Sequence, residues 1–158
     1  MCSTWLKLGA VKIYDEERMN MSEKKEILNL TAFRKAIHTF KDALNEYSKD
    51  ITNTYVRDSV IQRFEYCYDS SKKMLIRHLK NMGESDIDTK SLADIIRLGA
   101  KKGLLYHSWD EWSRYKDNRN ATSHGYDESV AIEIVSHLDG FSAELDYFLE
   151  KLHTYYET

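Results

Sequence analysis

A chain of 158 residues with no proline and only six glycines has few ways to turn. Proline is the strongest interruption of a helix, and all-β domains need many turn residues, so this scarcity points to a few long helices joined by short links. The apolar spacing agrees. From Ser22 onward Ile27, Leu30, Phe33 (or Arg34), Ile37, Phe40 (or Lys41), Leu44 and Tyr47 recur at steps of three and four, the stripe of a helix with one buried face. A second helix is expected from about Asn53 to Asn81, carrying Val56, Val60, Phe64, Cys67, Leu75 and Leu79, with Gly83 as its C-terminal cap. The polar run Glu84 to Lys90 reads as a loop. Ser91 opens a short third helix that ends around Gly99 to Gly103.

The fourth helix has the clearest start signal. Ser108-Trp109-Asp110-Glu111 has the form of a capping box, so helix should begin at Trp109 and run through Tyr115 toward Thr122, ending near Gly125. Asp127 can cap the last helix, whose stripe is Val130, Ile134, Val135, Leu138, Phe141, Leu145, Phe148 (or Leu149) and Leu152. Short links between long helices favour antiparallel neighbours, hence an all-α, up-and-down bundle of four to five helices. Residues 1–21 differ: Leu6, Leu8, Val11 and Ile13 are followed by Asp15-Glu16-Glu17-Arg18. They read as an N-terminal extension, either upstream of a true start at Met19 or Met21 or a short arm packed on the domain formed by residues 22–157.

Composition narrows the function classes. A net charge of -3 predicts no general polyanion-binding surface, so any nucleic-acid contact has to be local. Cys2 and Cys67 form no C-x-x-C pair, and a reducing, cytoplasmic setting is the simpler reading. No run approaches the ~18 apolar residues of a membrane span, and the N-terminus lacks the apolar stretch of a signal peptide. The histidines show no H-x-x-x-H or Cys/His ligand grouping, and no phosphate-binding glycine loop or G-x-S-x-G is present. Neither a metal nor a cofactor is therefore expected.

One segment carries chemistry: Arg119-Asn120-Ala121-Thr122-Ser123-His124-Gly125-Tyr126. At helical spacing Asn120 and His124 lie about 40° apart and share a face, whereas Arg119 lies about 140° from His124, so its side chain must curl round or the helix unwind. Gly125 would let the chain leave through unusual backbone angles. His124 suits proton transfer near neutral pH, Arg119 supplies a permanently charged fork for phosphate oxygens, and Asn120 can orient either. That is a minimal kit for metal-free cleavage of a phosphodiester. The same residues also suit an ordinary helix C-terminus with a histidine at the negative end of the dipole, and the residues alone leave both readings open.

Trp109, Trp112, Lys116, Arg119 and Ser123 fall on one broad arc. Lys116 and Trp112 are candidate contacts for RNA or a partner, although a tryptophan pair at this spacing better suits a core or a dimer interface. Lys72, Lys73, Arg77, His78 and Lys80 give the second helix a basic end that could attract RNA or an acidic partner, or simply complement the helix dipole.

Arg119 to Tyr126 resembles the R-x4-6-H motif of HEPN domains, in the R-x4-H-x-Y form of HepT-like toxins. Arg57-Asp58-Ser59-Val60-Ile61-Gln62-Arg63-Phe64-Glu65-Tyr66 resembles the D-x-x-I-Q-R-F-E segment of nucleotidyltransferase substrate-binding proteins, a branch of the same superfamily. The Trp-containing fourth helix and its acidic exit Tyr126-Asp127-Glu128 are similar too. The chain departs from that branch at Lys72, where a tryptophan is common. The resemblance, over residues 22–157, implies a four- or five-helix HEPN bundle that dimerises with its motifs facing each other across a cleft. It implies a toxin of a toxin–antitoxin pair, a metal-independent endoribonuclease with Arg119 and His124 catalytic and Asn120 assisting. It further implies a cognate minimal nucleotidyltransferase as antitoxin, able to adenylylate Tyr126 in some systems of this kind. Arg63 and Glu65 would be buried, paired members of the helix packing. The alternative is a non-catalytic substrate-binding or partner subunit of that nucleotidyltransferase; on either reading a homodimer or hetero-oligomer is expected.

Overall fold

The computed structural model describes residues 26–157. The expected extension over residues 1–21 and the helix start at Ser22 lie outside the described residues. From Glu26 to Leu30 the chain is not helical, and Ile27, expected on the first buried stripe, is 81% exposed. Its neighbours Leu28 and Leu30 are buried instead. The first helix, α1, spans Thr31–Lys49, and Asn29 Oδ1 accepts from the Thr31 N–H at its start (2.9 Å).

α2, Thr54–Asn81, is the longest element, about 42 Å at 1.5 Å per residue. Asn53 caps it by accepting from the Tyr55 and Val56 N–H groups at 3.1 and 3.2 Å. Gly83, at φ +81°, takes the left-handed step that ends it. A 3-10 turn at Ile87–Thr89 interrupts the expected loop and buries Ile87. Ser91 then caps α3, Leu92–Lys101, through the Asp94 N–H (3.1 Å). α4, Trp109–Ala121, starts at the expected residue. The capping box does not close, however: Ser108 makes no side-chain cap bond and contributes only its carbonyl to the Trp112 N–H.

The expected last helix is two helices, α5 (Glu128–Ser136) and α6 (Leu138–Tyr156). Asp127 caps α5 through the Ser129 N–H (2.9 Å). At its end Ser136 Oγ and the His137 ring both engage the Glu133 carbonyl, competing with the backbone ladder at the bend. Among the described residues no strand occurs, and the fold is the expected all-helical bundle.

Phe141 of α6 organises the core. Its ring lies 6.1 Å from Phe40 of α1, 5.2 Å from Phe64 of α2 and 5.0 Å from Tyr115 of α4, all close to edge-to-face. Trp112 packs against the same ring and against Tyr68 of α2. Among the described residues no helix is long and apolar enough to cross a membrane.

Candidate functional site

Two lateral contacts fix the C-terminus of α4. Arg119 reaches α2, where its Nε and Nη2 donate to the two carboxylate oxygens of Asp69 at 3.3 and 3.1 Å. Its Nη1 lies 3.2 Å from Glu65 Oε2 and donates to Thr122 Oγ1 at 3.0 Å. Thr122 in turn donates to the Arg119 carbonyl (2.7 Å), so residue and side chain are locked as a unit. The hydrogen bonds to Asp69, with the charge of Glu65 adding, push the guanidinium pKa further above its ordinary value. Arg119 is thus a fixed cation in a pocket of carboxylates, and it turns toward α2.

After Ala121 the helix tightens into a 3-10 turn, Thr122–His124. At about 120° per residue instead of 100°, the ideal separation of Asn120 and His124 opens from about 40° to about 100°. The shared face expected for them is therefore weakened. Among the described residues no hydrogen bond joins the two side chains, and the Asn120 carbonyl accepts instead from Ser123 Oγ (2.9 Å). Gly125 does not use left-handed angles either: its φ is -66°. A Cβ there would sit 3.1 Å from the Thr122 carbonyl oxygen, so a side chain would have to push the turn apart by a few tenths of an ångström. The Gly125 and Asp127 N–H groups return to the Thr122 and His124 carbonyls, both at 3.0 Å. His124 and Tyr126 consequently project from a short, closed turn. Both are exposed, Tyr126 at 87%, with ring centroids 6.3 Å apart.

The remaining candidates separate. Trp112, expected as a contact residue, is buried in the core at 2% exposure, and its Nε1 donates to Glu144 Oε1 at 3.2 Å. No ligand reaches it in this arrangement. Lys116 lies on the surface of α4 with its Nζ 5.8 Å from the centre of the Trp109 ring. Lys72 lies over the Tyr68 ring (5.4 Å), and Lys73 is exposed. The basic end of α2, expected either to attract RNA or an acidic partner or to complement the helix dipole, is partly engaged within the fold. His78 is fully buried, Arg77 pairs with Glu26, and Lys80 pairs with Asp88 at 2.6 Å. Arg63, expected to be buried, is exposed and donates to Ser59, whereas Glu65 does pair, with Arg119.

Three residues that hold α4 and its turn in place were given no such role by the sequence. Asp69 is the principal anchor of Arg119, and its only signal was its place one turn beyond Glu65 on the face of α2. Arg57, buried at the start of α2, approaches Glu128 at 3.7 Å and ties the exit of the turn to that helix. Glu144, 1% exposed, accepts from the Tyr106 and His107 N–H groups and from Trp112. It thereby sets the start of α4.

An all-helical bundle whose fourth helix ends in an Arg-x4-His-x-Tyr turn is the class these elements define. Over residues 28–154 the sequence matches the family model described as nucleotidyltransferase substrate binding protein like, and the chain belongs to that family. The probable ribonuclease HepT of Haemophilus influenzae is 31% identical over 135 residues, which take in 79% of this chain and 92% of that protein. The fold is also that of a Haemophilus influenzae protein described as a substrate binding domain of a nucleotidyltransferase, with a TM-score of 0.72 at 29% identity, covering 79% of this chain and 99% of that one. A Thermus thermophilus protein superposes with a TM-score of 0.61 at 30% identity, over 76% of this chain and 98% of that one.

Proposed function

We propose that the chain is a HepT-like toxin of the HEPN superfamily, a metal-independent endoribonuclease whose activity a cognate minimal nucleotidyltransferase restrains. The observation that carries the reading is the end of α4, where a clamped guanidinium and an exposed imidazole share one short turn. Its kinship with a protein named as a probable ribonuclease supports it. In the reaction a ribose 2′-hydroxyl attacks the adjoining phosphorus. His124 takes its proton, the bond to the 5′-oxygen breaks, and that oxygen is protonated as it leaves, giving a 2′,3′-cyclic phosphate and a 5′-hydroxyl. Arg119 stabilises the charge that grows on the phosphoryl oxygens, and Asn120 assists in orienting the phosphate.

Regulation acts on the same turn. Tyr126, exposed beside His124, is the modification site: its phenol oxygen attacks the α-phosphorus of ATP on the nucleotidyltransferase, and pyrophosphate leaves. The added phosphate brings negative charge next to the RNA-binding cation and repels the substrate backbone. Two copies with their turns facing across a cleft would let one His124 act as base and the other as acid.

Purified full-length protein should cut single-stranded RNA in the presence of EDTA. Arg119→Ala and His124→Ala should each lower cleavage by at least about a hundredfold while leaving the circular dichroism spectrum unchanged. Protein that cuts no RNA, whether adenylylated or not, would sink the proposal. A second reading, a non-catalytic partner subunit, draws on the occupation of Arg119 by Asp69 and Glu65. It is the one left standing if Arg119→Ala weakens the complex with the nucleotidyltransferase and no RNA is cut.

A further inference from the structure

The two tryptophans of α4 have opposite fates, and the difference suggests what lies beside the catalytic turn. Trp112 is committed to the core through Glu144 and Phe141. Trp109 packs against the edge of the core but is only partly buried, and it carries the Lys116 ammonium over its ring, 5.8 Å from the centroid. Seven residues bring Lys116 back to within about 20° of Trp109, and eleven bring Asn120 to within about 20° on the other side. Trp109, Lys116 and Asn120 therefore form one stripe about 16 Å long, whose Asn120 end lies just before the turn holding His124. Arg119 flanks it toward α2.

We propose that this stripe is a binding track for unpaired RNA, with Trp109 as the platform for a base a few nucleotides from the scissile phosphate. The inference rests on the RNA-cleaving reading above and names its substrate as single-stranded. The chemistry fits in three respects. An indole face accepts any base, so the platform needs no base-specific contacts. A base that takes the place of Lys116 over the ring frees its ammonium for the adjoining phosphate. A net acidic chain needs its few RNA cations placed locally, and Lys116 and Arg119 lie within one turn of each other on α4.

The test uses the full-length chain carrying His124→Ala, titrated with a fluorescein-labelled single-stranded oligouridylate. In that background Trp109→Ala should weaken binding roughly tenfold, and Trp109→Phe should restore most of the affinity. Unlabelled oligouridylate should quench tryptophan fluorescence in the parent, and Trp109→Phe should abolish the quench although it still binds. Lys116→Ala should lower the slope of log Kd against log salt by about 0.7. Double-stranded RNA should compete poorly. Equal affinity of Trp109→Ala and its parent, a quench that persists in Trp109→Phe, or no RNA binding at all overturns the track. Wild-type cleavage kinetics separate the two readings. RNA binding of the stated kind without cleavage removes the ribonuclease and leaves the track. Normal cleavage with an unchanged KM in Trp109→Ala removes the track and leaves the ribonuclease.

Discussion

At the scale of single residues, the unusual feature is that the candidate phosphate-binding cation already has two anionic partners. Asp69 holds Arg119 by a two-point contact and Glu65 sits on its remaining edge. That arrangement orients the guanidinium, and on the proposed ribonuclease reading it also makes an RNA phosphate compete with fixed carboxylates for the same charge. Removing one unit of negative charge about 4 Å from the phosphate is worth on the order of 1 kcal/mol in a solvent-screened site, roughly fivefold in affinity. Asp69→Asn should therefore tighten RNA binding roughly fivefold. It should also lower kcat, because the fork is no longer held at two points. Weaker RNA binding by Asp69→Asn would show that Asp69 serves only to orient Arg119.

At the scale of elements, Glu144 shows how the bundle presents the site. From α6 it accepts from two backbone N–H groups at Tyr106 and His107, from the His107 ring (2.9 Å) and from Trp112, tying the entry of α4 to the last helix. Glu144→Ala leaves several buried donors without acceptors, a loss of about 2–4 kcal/mol. The denaturant midpoint should drop accordingly with the slope unchanged. A change within experimental error would mean that water replaces the carboxylate. The helices themselves were legible in the sequence because their signals are local: the stripes, Asp127 as a cap, Gly83 as a stop, and starts placed near Asn53 and Ser91, which the structure shows to be caps as well. What was not legible depends on partners distant in sequence. Glu144 reads as one more charge on an amphipathic helix until Trp112 is seen against it, and Asp69 is unremarkable until Arg119 arrives from fifty residues away. The break at His137 escaped because the apolar stripe runs through it unbroken, while side-chain bonds to the Glu133 carbonyl interrupt the backbone. In the motif, residue identity marked the candidate residues, but the 3-10 turn that separates Asn120 from His124 left no local signature.

At the scale of the whole molecule, one buried histidine closes the bundle and should set the pH at which it opens. His78 is fully buried near the end of α2, and its Nδ1 lies 2.7 Å from the hydroxyl of Tyr156 at the end of α6. The ring stands edge-on to Tyr155 (4.6 Å), and its Nε2 has no partner among the described residues. Asn81 joins the same group, donating to the Tyr156 hydroxyl and to the Glu26 carbonyl, so both helix ends and the entering chain meet here. Burial depresses the His78 pKa below its ordinary 6.5. The unfolded chain consequently binds a proton that the folded chain refuses. The contribution of His78 to stability is complete above pH 6.5 and declines as the pH falls toward the folded value, by up to about 1.4 kcal/mol per pH unit. The depressed carboxylates act lower, since Asp127 and Glu157, ordinarily 3.8 and 4.5, lose their contributions only as the pH falls below those values. His78→Phe should therefore flatten the stability profile just below pH 6.5, measured by urea unfolding, and leave the acid limb below pH 4.5 in place. Parallel profiles for the two proteins across the upper window would show that the ring takes up its proton without opening the bundle.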